Sequence, residues 1–104
     1  MSYQNLNPSD FKTAFEHTKD AVIIDVRTAP EIAAGKIEGA LEIDFYGADF
    51  TQKILELDRT KAYFMVCRSG GRSGQACSFM SQNGFKELYN LVGGMIAWEV
   101  EVKN

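Results

Sequence analysis

The sequence predicts an α/β fold, with a mainly parallel sheet flanked by helices. Two observations favour this class. Strand-like and helix-like segments alternate along the chain. Two strand-like segments, residues 21–26 (AVIIDV) and 62–66 (AYFMV), are continuous apolar runs, which are typical of strands buried on both faces. With 104 residues, 45% of them hydrophobic, and no linker or repeat, the chain is expected to form a single domain over residues 1–104.

The first elements follow from local signals near the start of the chain. Residues 3–6 are predicted to form a short strand. Asn7 and Pro8 have the residue types preferred at the cap and first position of a helix, and helical apolar spacing extends that helix to about Thr18. The buried strand 21–26 comes next.

The middle of the chain alternates in the same way. Thr28 and Glu31 have the spacing of a capping box, so a short helix is expected to begin there and to end near Gly35. Residues 40–43 alternate in polarity and are predicted to form a short strand. Residues 48–57 have helical spacing and are predicted to form a helix.

The last third supplies the remaining elements after the buried strand 62–66. Residues 73–83 are predicted to form a helix that ends at Gly84, a glycine in the position typical of a helix C-terminus. Residues 88–92 are predicted to form a third apolar strand, and the glycine pair at 93–94 allows a tight turn into a last predicted helix that contains Trp98.

Composition argues against several classes of partner. The net charge of −3 disfavours a nucleic-acid or membrane-surface partner, since both require a basic face. No apolar stretch is long enough to span a bilayer, and the N-terminus lacks the features of a secretory signal, so a cytoplasmic location is expected. Cys67 and Cys77 are too few for a disulfide framework, and with His17 as the only histidine neither a metal site nor a cofactor is expected.

The loop after the strand 62–66 contains the candidate reactive residues. It begins at Cys67, at the carboxyl end of the strand, where ligands bind in open α/β sheets. It continues as Arg68, Ser69, Gly70, Gly71, Arg72 and Ser73. The glycines let successive N–H groups turn toward one point, and the two arginines and the start of the next helix add positive charge. This field favours the thiolate, so Cys67 is predicted to be a nucleophile with a pKa below the value of about 8.5 for free cysteine.

Cys77 and the spacing of the loop bear on two alternative roles for Cys67, a disulfide partner and a phosphatase nucleophile. Cys77 lies inside the predicted helix and is interpreted as a core thiol, too far from Cys67 for a disulfide. Phosphatases of the tyrosine-phosphatase type have a cysteine and an arginine separated by five residues. Here four residues separate Cys67 from Arg72, so the cradle is tighter and suits a single sulfur atom better than a phosphate. A phosphatase or an arsenate reductase of the same fold remains a less favoured alternative.

Three ordered motifs resemble the rhodanese (sulfurtransferase) family. They are DVRTAPEIAAGKIEGALEI (25–43), CRSGGRS (67–73), and ACSFMSQNGF with LVGGMIAW (76–85 and 91–98), so the resemblance covers nearly the whole chain. It implies a rhodanese-like three-layer fold with a five-stranded, mainly parallel sheet.

The resemblance also implies a reaction. Cys67 would accept a sulfane sulfur as a persulfide and pass it to a thiophilic acceptor such as cyanide or a thiol. Backbone N–H groups from Arg68 to Ser73 would hold the terminal sulfur, and Arg68 would attract the anionic donor, for which thiosulfate is favoured. Arg72 would brace the loop, and Ser73 would cap the next helix. The alternative is a persulfide carrier that serves a sulfur-accepting protein partner.

Other residues receive structural assignments. Arg27 and Glu31 are predicted to form an exposed ion pair that ties a strand end to the short helix. Residues 44–46 follow a strand and are expected to line the mouth of the site. His17 is expected to be exposed and Trp98 to anchor the core.

Overall fold

The computed structural model describes residues 2–103, and within them five strands and five α-helices alternate. The strands are β1 (Gln4–Leu6), β2 (Ala21–Asp25), β3 (Leu41–Glu42), β4 (Ala62–Val66) and β5 (Glu87–Leu91). The helices are α1 (Pro8–Glu16), α2 (Ala29–Ala33), α3 (Phe50–Leu55), α4 (Gly71–Gln82) and α5 (Gly94–Trp98), and a π-helical turn over Glu99–Lys103 follows α5 directly.

The strands form one sheet in the order β1-β5-β4-β2-β3, and every neighbouring pair is parallel. The predicted α/β class is therefore confirmed, and the sheet is parallel throughout the described residues. Because parallel strands end at the same edge of a sheet, the segments that follow β2, β4 and β5 meet at one edge. Cys67 directly follows β4, the central strand, and so lies in the middle of that edge.

The core has two halves, one on each face of the sheet. Tyr63 and Met65 of β4 pack on one face with buried residues of α3 and α4. Phe64 and Val66 pack on the other face with Phe11 of α1 and with buried residues of α5. All five residues of β4 are buried, as the continuous apolar run predicts. The result is the three-layer arrangement, with α3 and α4 on one side and α1 and α5 on the other.

Local signals place several helix ends where they are expected. Asn7 caps α1, and its side-chain Oδ1 accepts the N–H of Asp10 at 2.8 Å. After α4 the chain turns at Gly84, which has a φ of +89°, and the N–H of Phe85 donates to the carbonyl of Met80 at 3.2 Å. This left-handed glycine closure is the helix end that the sequence predicts.

Most element boundaries differ from expectation by one or two residues, and two of these differences have a clear local cause. β3 is confined to Leu41–Glu42 rather than 40–43, since it is an edge strand that pairs only with the end of β2. α4 begins at Gly71 instead of residue 73, because Gly70 adopts a left-handed φ of +101° and completes the turn earlier. The π-helical turn after α5 has no counterpart in the sequence prediction.

The peripheral aromatic and imidazole side chains fit their assignments in part. Trp98 is half-buried rather than central, with its ring edge-on to that of Phe11 at 6.1 Å between centroids. His17 is exposed at the end of α1, as expected, and its Nδ1 lies 2.8 Å from the carbonyl oxygen of Thr13.

None of the helices over residues 2–103 combines the length and the apolar run that crossing a bilayer requires.

Candidate active site

Cys67 lies at the floor of the loop, with only 1% of the residue exposed. Its Sγ accepts the N–H of Gly70 at 3.0 Å and lies 3.2 Å from the hydroxyl oxygen of Ser73. The sequence suggested a cysteine in a polar, flexible loop. The structure instead buries the side chain against the core, with polar donors directed at its sulfur.

These donors decide the ionisation of the thiol. Burial raises the pKa of Cys67, since it disfavours the charged form. The hydroxyl of Ser73 and the backbone N–H groups of Ser73, Gly70 and Ser69 act in the opposite direction and together outweigh burial, so the pKa lies below the ordinary value of a thiol. This direction agrees with the prediction. The main cause is hydrogen bonding to the sulfur, and the charge of Arg72, which also interacts with that of Cys67, contributes less.

Two glycines allow the loop to approach its neighbours closely. A Cβ on Gly70 would lie 3.2 Å from the carbonyl oxygen of Leu91, at a backbone conformation that other residues avoid. A Cβ on Gly94 would overlap the backbone of Arg68 and the carbonyl oxygen of Cys67. Without that Cβ, the N–H of Met95 reaches the carbonyl of Cys67 at 2.9 Å. The start of α5 thus fixes the base of the loop.

Arg72 braces the loop from outside. Its two terminal nitrogens donate to the two carboxylate oxygens of Glu31 on α2, at 2.9 and 2.8 Å. Its guanidinium also lies 5.6 Å from the ring centroid of Tyr46. The bracing interpretation of Arg72 agrees with this geometry, and the segment 44–46 reaches the site through Tyr46.

The predicted ion pair between Arg27 and Glu31 is wrong. Arg27 is buried, and its side chain bonds the carboxylate of Asp25, with the closest contact at 2.8 Å. It also donates to the backbone carbonyls of Glu31 and Gly35. The prediction failed because Glu31 directs its carboxylate toward Arg72, which is distant in sequence.

Ser73 does not cap α4, so that prediction is also wrong. It lies within the helix, because Gly70 already makes the turn that precedes it. Its buried hydroxyl faces the interior of the site, 3.2 Å from Cys67 Sγ and 2.5 Å from the Oδ1 of Asn90. The residue therefore belongs to the surroundings of the sulfur rather than to the helix terminus.

Asn90 is the site residue that the sequence analysis missed. It is 5% exposed on β5, and its Nδ2 donates to the carbonyl of Gly70 at 3.2 Å. The available signal was a single amide inside the apolar run LYNLV (88–92), since a buried polar residue requires partners.

Arg68 has a different position from Arg72. It is exposed, and its guanidinium forms no ion pair with any residue between 2 and 103. It lines a pocket of about 240 Å³ beside the loop, whose other charged lining residues are Arg27, Glu31 and Glu99. Its side chain is therefore exposed to solvent beside the loop.

Cys77 lies in the core, as predicted. It is fully buried, and burial, with a smaller contribution from the charge of Cys67, raises its pKa to about 12. Cys67 and Cys77 are both free thiols. Cys77 is therefore neutral and inaccessible under ordinary conditions.

The brace between Arg72 and Glu31 gives the fold a specific acid sensitivity. The hydrogen bond from Arg72, with that from the N–H of Thr28, lowers the pKa of Glu31 from 4.5 to about 2. A depressed carboxylate pKa stabilises the fold fully above pH 4.5, and this contribution is lost as pH falls toward 2. We expect Glu31→Gln to lower the free energy of unfolding at neutral pH by about 1–2 kcal/mol, the pair being partly exposed.

Urea unfolding across an acid pH series measures this effect. The difference between the wild type and Glu31→Gln should shrink as pH falls. The exposed pair between Lys12 and Glu16 supplies the control, and Glu16→Gln should change the acid profile far less. A constant difference between wild type and Glu31→Gln at every pH would contradict the assignment.

Comparison with known proteins finds one family. Residues 7–101 match the rhodanese-like domain. A putative sulfurtransferase of Bacillus subtilis, YtwF, is 37% identical over 103 residues, which are 99% of this chain and 97% of that protein. A sulfurtransferase of Allochromatium vinosum is 38% identical over 81 residues, or 78% of this chain and 74% of that protein.

Other similar proteins carry the domain in a different setting. A tRNA uridine(34) hydroxylase of Cytophaga hutchinsonii is 35% identical over 94% of this chain, which spans only 32% of that protein.

Among solved structures, a rhodanese-related protein of Thermoplasma volcanium has a TM-score of 0.81 at 28% identity, covering 96% of this chain and 94% of that one. A rhodanese-like domain protein of Staphylococcus aureus has a TM-score of 0.79 at 28% identity, covering 91% and 90%.

Proposed function

The chain belongs to the rhodanese-like domain family, and on that premise we propose that it transfers a sulfane sulfur through a persulfide on Cys67. Relatives that match most of this chain over most of their own length are named sulfurtransferases, which supports that general activity. The donor proposed here is thiosulfate or a related anion, and the acceptor is cyanide or a thiol. We place the reaction in the cytoplasm, a reducing compartment where thiols persist.

The reaction has two displacement steps at sulfur. In the first, the Cys67 thiolate attacks the outer sulfur of thiosulfate. The sulfur–sulfur bond of the donor breaks, and sulfite leaves with the electron pair. Cys67 is left as a persulfide whose negative charge lies on the outer sulfur. In the second, the acceptor attacks that outer sulfur, and the Cys67 thiolate is released unchanged.

The observation that carries the proposal is the set of donors directed at one buried sulfur. Sγ lies at the carboxyl end of β4, 3.0 Å from the nitrogen of Gly70 and 3.2 Å from the hydroxyl of Ser73. Hydrogen bonds to the charged form lower the pKa of Cys67 and so increase its thiolate fraction without a separate base. We assign the binding of the transferred sulfur to the backbone of residues 68–73, whose glycines allow N–H groups to converge.

Arg68 supplies the charge for the donor in this account. Its exposed guanidinium lies beside the pocket next to the loop, free of any ion pair with residues 2–103. We expect Arg68→Ala to raise the KM for thiosulfate on the order of tenfold with a smaller change in kcat, because it removes charge attraction and no reacting group.

Steady-state kinetics at two ionic strengths check this expectation. Arg68→Lys is the matched variant, since it keeps the charge and should recover most of the affinity. The difference in KM between the wild type and Arg68→Ala should decrease at high salt. An unchanged KM in Arg68→Ala would place donor binding elsewhere.

Mass spectrometry of the intact protein after incubation with thiosulfate tests the proposed function. One added sulfur is expected, located on Cys67 by peptide mapping and removed by cyanide. Cys77→Ala is the matched control and should gain the same sulfur, since Cys77 is a core thiol away from the reaction. No adduct from thiosulfate or from any persulfide donor would reject the proposal.

A persulfide relay to a protein partner is the second candidate. Ile96 lines the pocket beside the loop and is 49% exposed, and Val92 just after β5 is 46% exposed. Exposed apolar side chains beside a reactive loop favour a protein that docks there. Comparing turnover on thiosulfate with sulfur transfer from a persulfidated protein separates the two candidates.

The geometry also disfavours the phosphatase alternative. Arg72 donates both terminal nitrogens to Glu31, so this arginine is engaged outside the loop. Hydrolysis of an aryl phosphate at a substantial rate would restore that alternative.

A further inference from the structure

Asn90 is a buried polar side chain whose bonds the reaction described above does not use. It is 5% exposed on β5, and its Nδ2 donates to the Oδ1 of Asn5 at 2.9 Å and to the carbonyl of Gly70 at 3.2 Å. Its Oδ1 lies 2.5 Å from the hydroxyl oxygen of Ser73. A rotated amide would direct Oδ1 at the Gly70 carbonyl, which can only accept, so the orientation of the amide is fixed.

The hydroxyl of Ser73 has one proton and two possible acceptors. Its Oγ is 2.5 Å from Asn90 Oδ1 and 3.2 Å from Cys67 Sγ, and the side chain is fully buried, away from water. A hydroxyl donates one hydrogen bond at a time. While Cys67 is a thiol, its S–H can donate to Ser73, and Ser73 donates onward to Asn90. Once Cys67 is a thiolate, the charged sulfur attracts that proton and Asn90 loses its donor.

We propose that Asn90 is a positioning residue that competes with the sulfur of Cys67 for the hydroxyl proton of Ser73. In this arrangement Asn90 favours the states in which Sγ carries no charge. One is the thiol. The other is the persulfide, in which the negative charge has moved to the outer sulfur and Sγ is a weak acceptor. The inference rests on the proposed function only for this second state, since the competition for the proton exists in the free protein.

Other ionisable groups near Cys67 do not provide the same effect. Arg68 precedes α4 in the loop and is exposed. Arg72 lies on α4, and its pairing with Glu31 raises its pKa, so its guanidinium stays charged. Cys77, also on α4, stays neutral because burial raises its pKa to about 12. At pH values above the ordinary pKa range of carboxylates and histidine and below that of tyrosine, a change in the reactivity of Cys67 therefore reports the ionisation of its own thiol.

Asn90→Leu is the direct test, because it removes the competing acceptor at similar size. No buried polar group loses its last partner. The Gly70 carbonyl keeps the N–H of Gly74 at 3.1 Å, Asn5 is exposed, and Ser73 can turn fully to Cys67. We expect the pH midpoint of Cys67 alkylation to fall on the order of one unit relative to the wild type. Asn5→Ala, which removes only the outer hydrogen bond of Asn90, should leave the midpoint unchanged.

A double-mutant cycle separates positioning from a general structural effect. Because Asn90 acts through Ser73, Asn90→Leu should produce no further shift when it is introduced into Ser73→Ala. An unchanged or raised midpoint in Asn90→Leu would overturn the inference. So would a shift of equal size in the absence of the Ser73 hydroxyl.

Two further measurements keep the test decisive. In NMR spectra of the wild type, the side-chain amide resonances of Asn90 should shift with pH, with the same midpoint as the alkylation of Cys67. Resonances that do not shift would overturn the inference. This measurement does not depend on whether Asn90→Leu folds. Sulfur loading of the wild type tests the proposed function separately. A protein that takes no sulfur but still shows the midpoint shift in Asn90→Leu would reject the function and retain the inference.

Discussion

Replacing Cys67 by serine is expected to abolish sulfur transfer and leave the fold intact. Serine has nearly the shape of cysteine, and its hydroxyl would find partners in the N–H of Gly70 and the hydroxyl of Ser73. It cannot replace the nucleophile, because an alcohol is not ionised near neutral pH and does not carry a second sulfur. We expect turnover on thiosulfate to fall at least about a thousandfold, as when the nucleophile of a covalent enzyme is removed.

The measurement combines a sulfite-release assay with a thermal unfolding curve for the wild type, Cys67→Ser and Cys77→Ala. Cys77→Ala controls for the loss of a buried thiol from the same core and should retain turnover, at some cost in stability. Turnover of Cys67→Ser within tenfold of the wild type would mean that another group carries the sulfur.

Gly94→Ala is expected to disrupt the loop from outside the site. Gly94 has a φ of +57°, which costs other residues about 1 kcal/mol, and a Cβ there would overlap the backbone of Arg68 and Cys67. The backbone must then move at the base of the loop, where the N–H of Met95 holds the carbonyl of Cys67 at 2.9 Å. Strain and overpacking together should cost about 3 kcal/mol of unfolding free energy. The alkylation midpoint of Cys67 should also rise, because displacing the loop weakens the donors on its sulfur.

Gly39→Ala is the matched control for backbone strain alone. Gly39 also has a positive φ, +84°, but a Cβ there would meet nothing within 4 Å. Gly39→Ala should lower the free energy of unfolding by about 1 kcal/mol and leave the alkylation midpoint of Cys67 unchanged. If both variants lost the same amount of unfolding free energy, the close approach of Gly94 to the loop would not explain why a glycine is required there.

Sequence reasoning succeeded where the signal is local. The apolar run 62–66, the cap at Asn7 and the left-handed Gly84 each depend on residues adjacent in the chain, and each is found as predicted. Cys67 and its loop were placed correctly for the same reason, because a strand followed by glycines and a helix defines the edge of a parallel sheet.

The failures concern partners that the fold brings together from a distance. Glu31 lies 41 residues from Arg72, and nothing in the local pattern distinguishes that pair from the nearer Arg27. Ser73 was interpreted as a cap because serine is common at helix starts, whereas its contact with Asn90 spans 17 residues. Hydrogen bonds of this kind follow from topology, so composition and periodicity do not predict them.

We propose that the donors around Sγ stabilise the thiolate of Cys67 despite its burial. The test is the rate of Cys67 alkylation as a function of pH. It is measured in the Cys77→Ala variant, so that Cys67 is the thiol whose alkylation is followed. We expect a midpoint below the value of about 8.5 for free cysteine. A midpoint at or above that value would show that burial outweighs the hydrogen bonds from Gly70 and Ser73, and that these donors do not stabilise the thiolate.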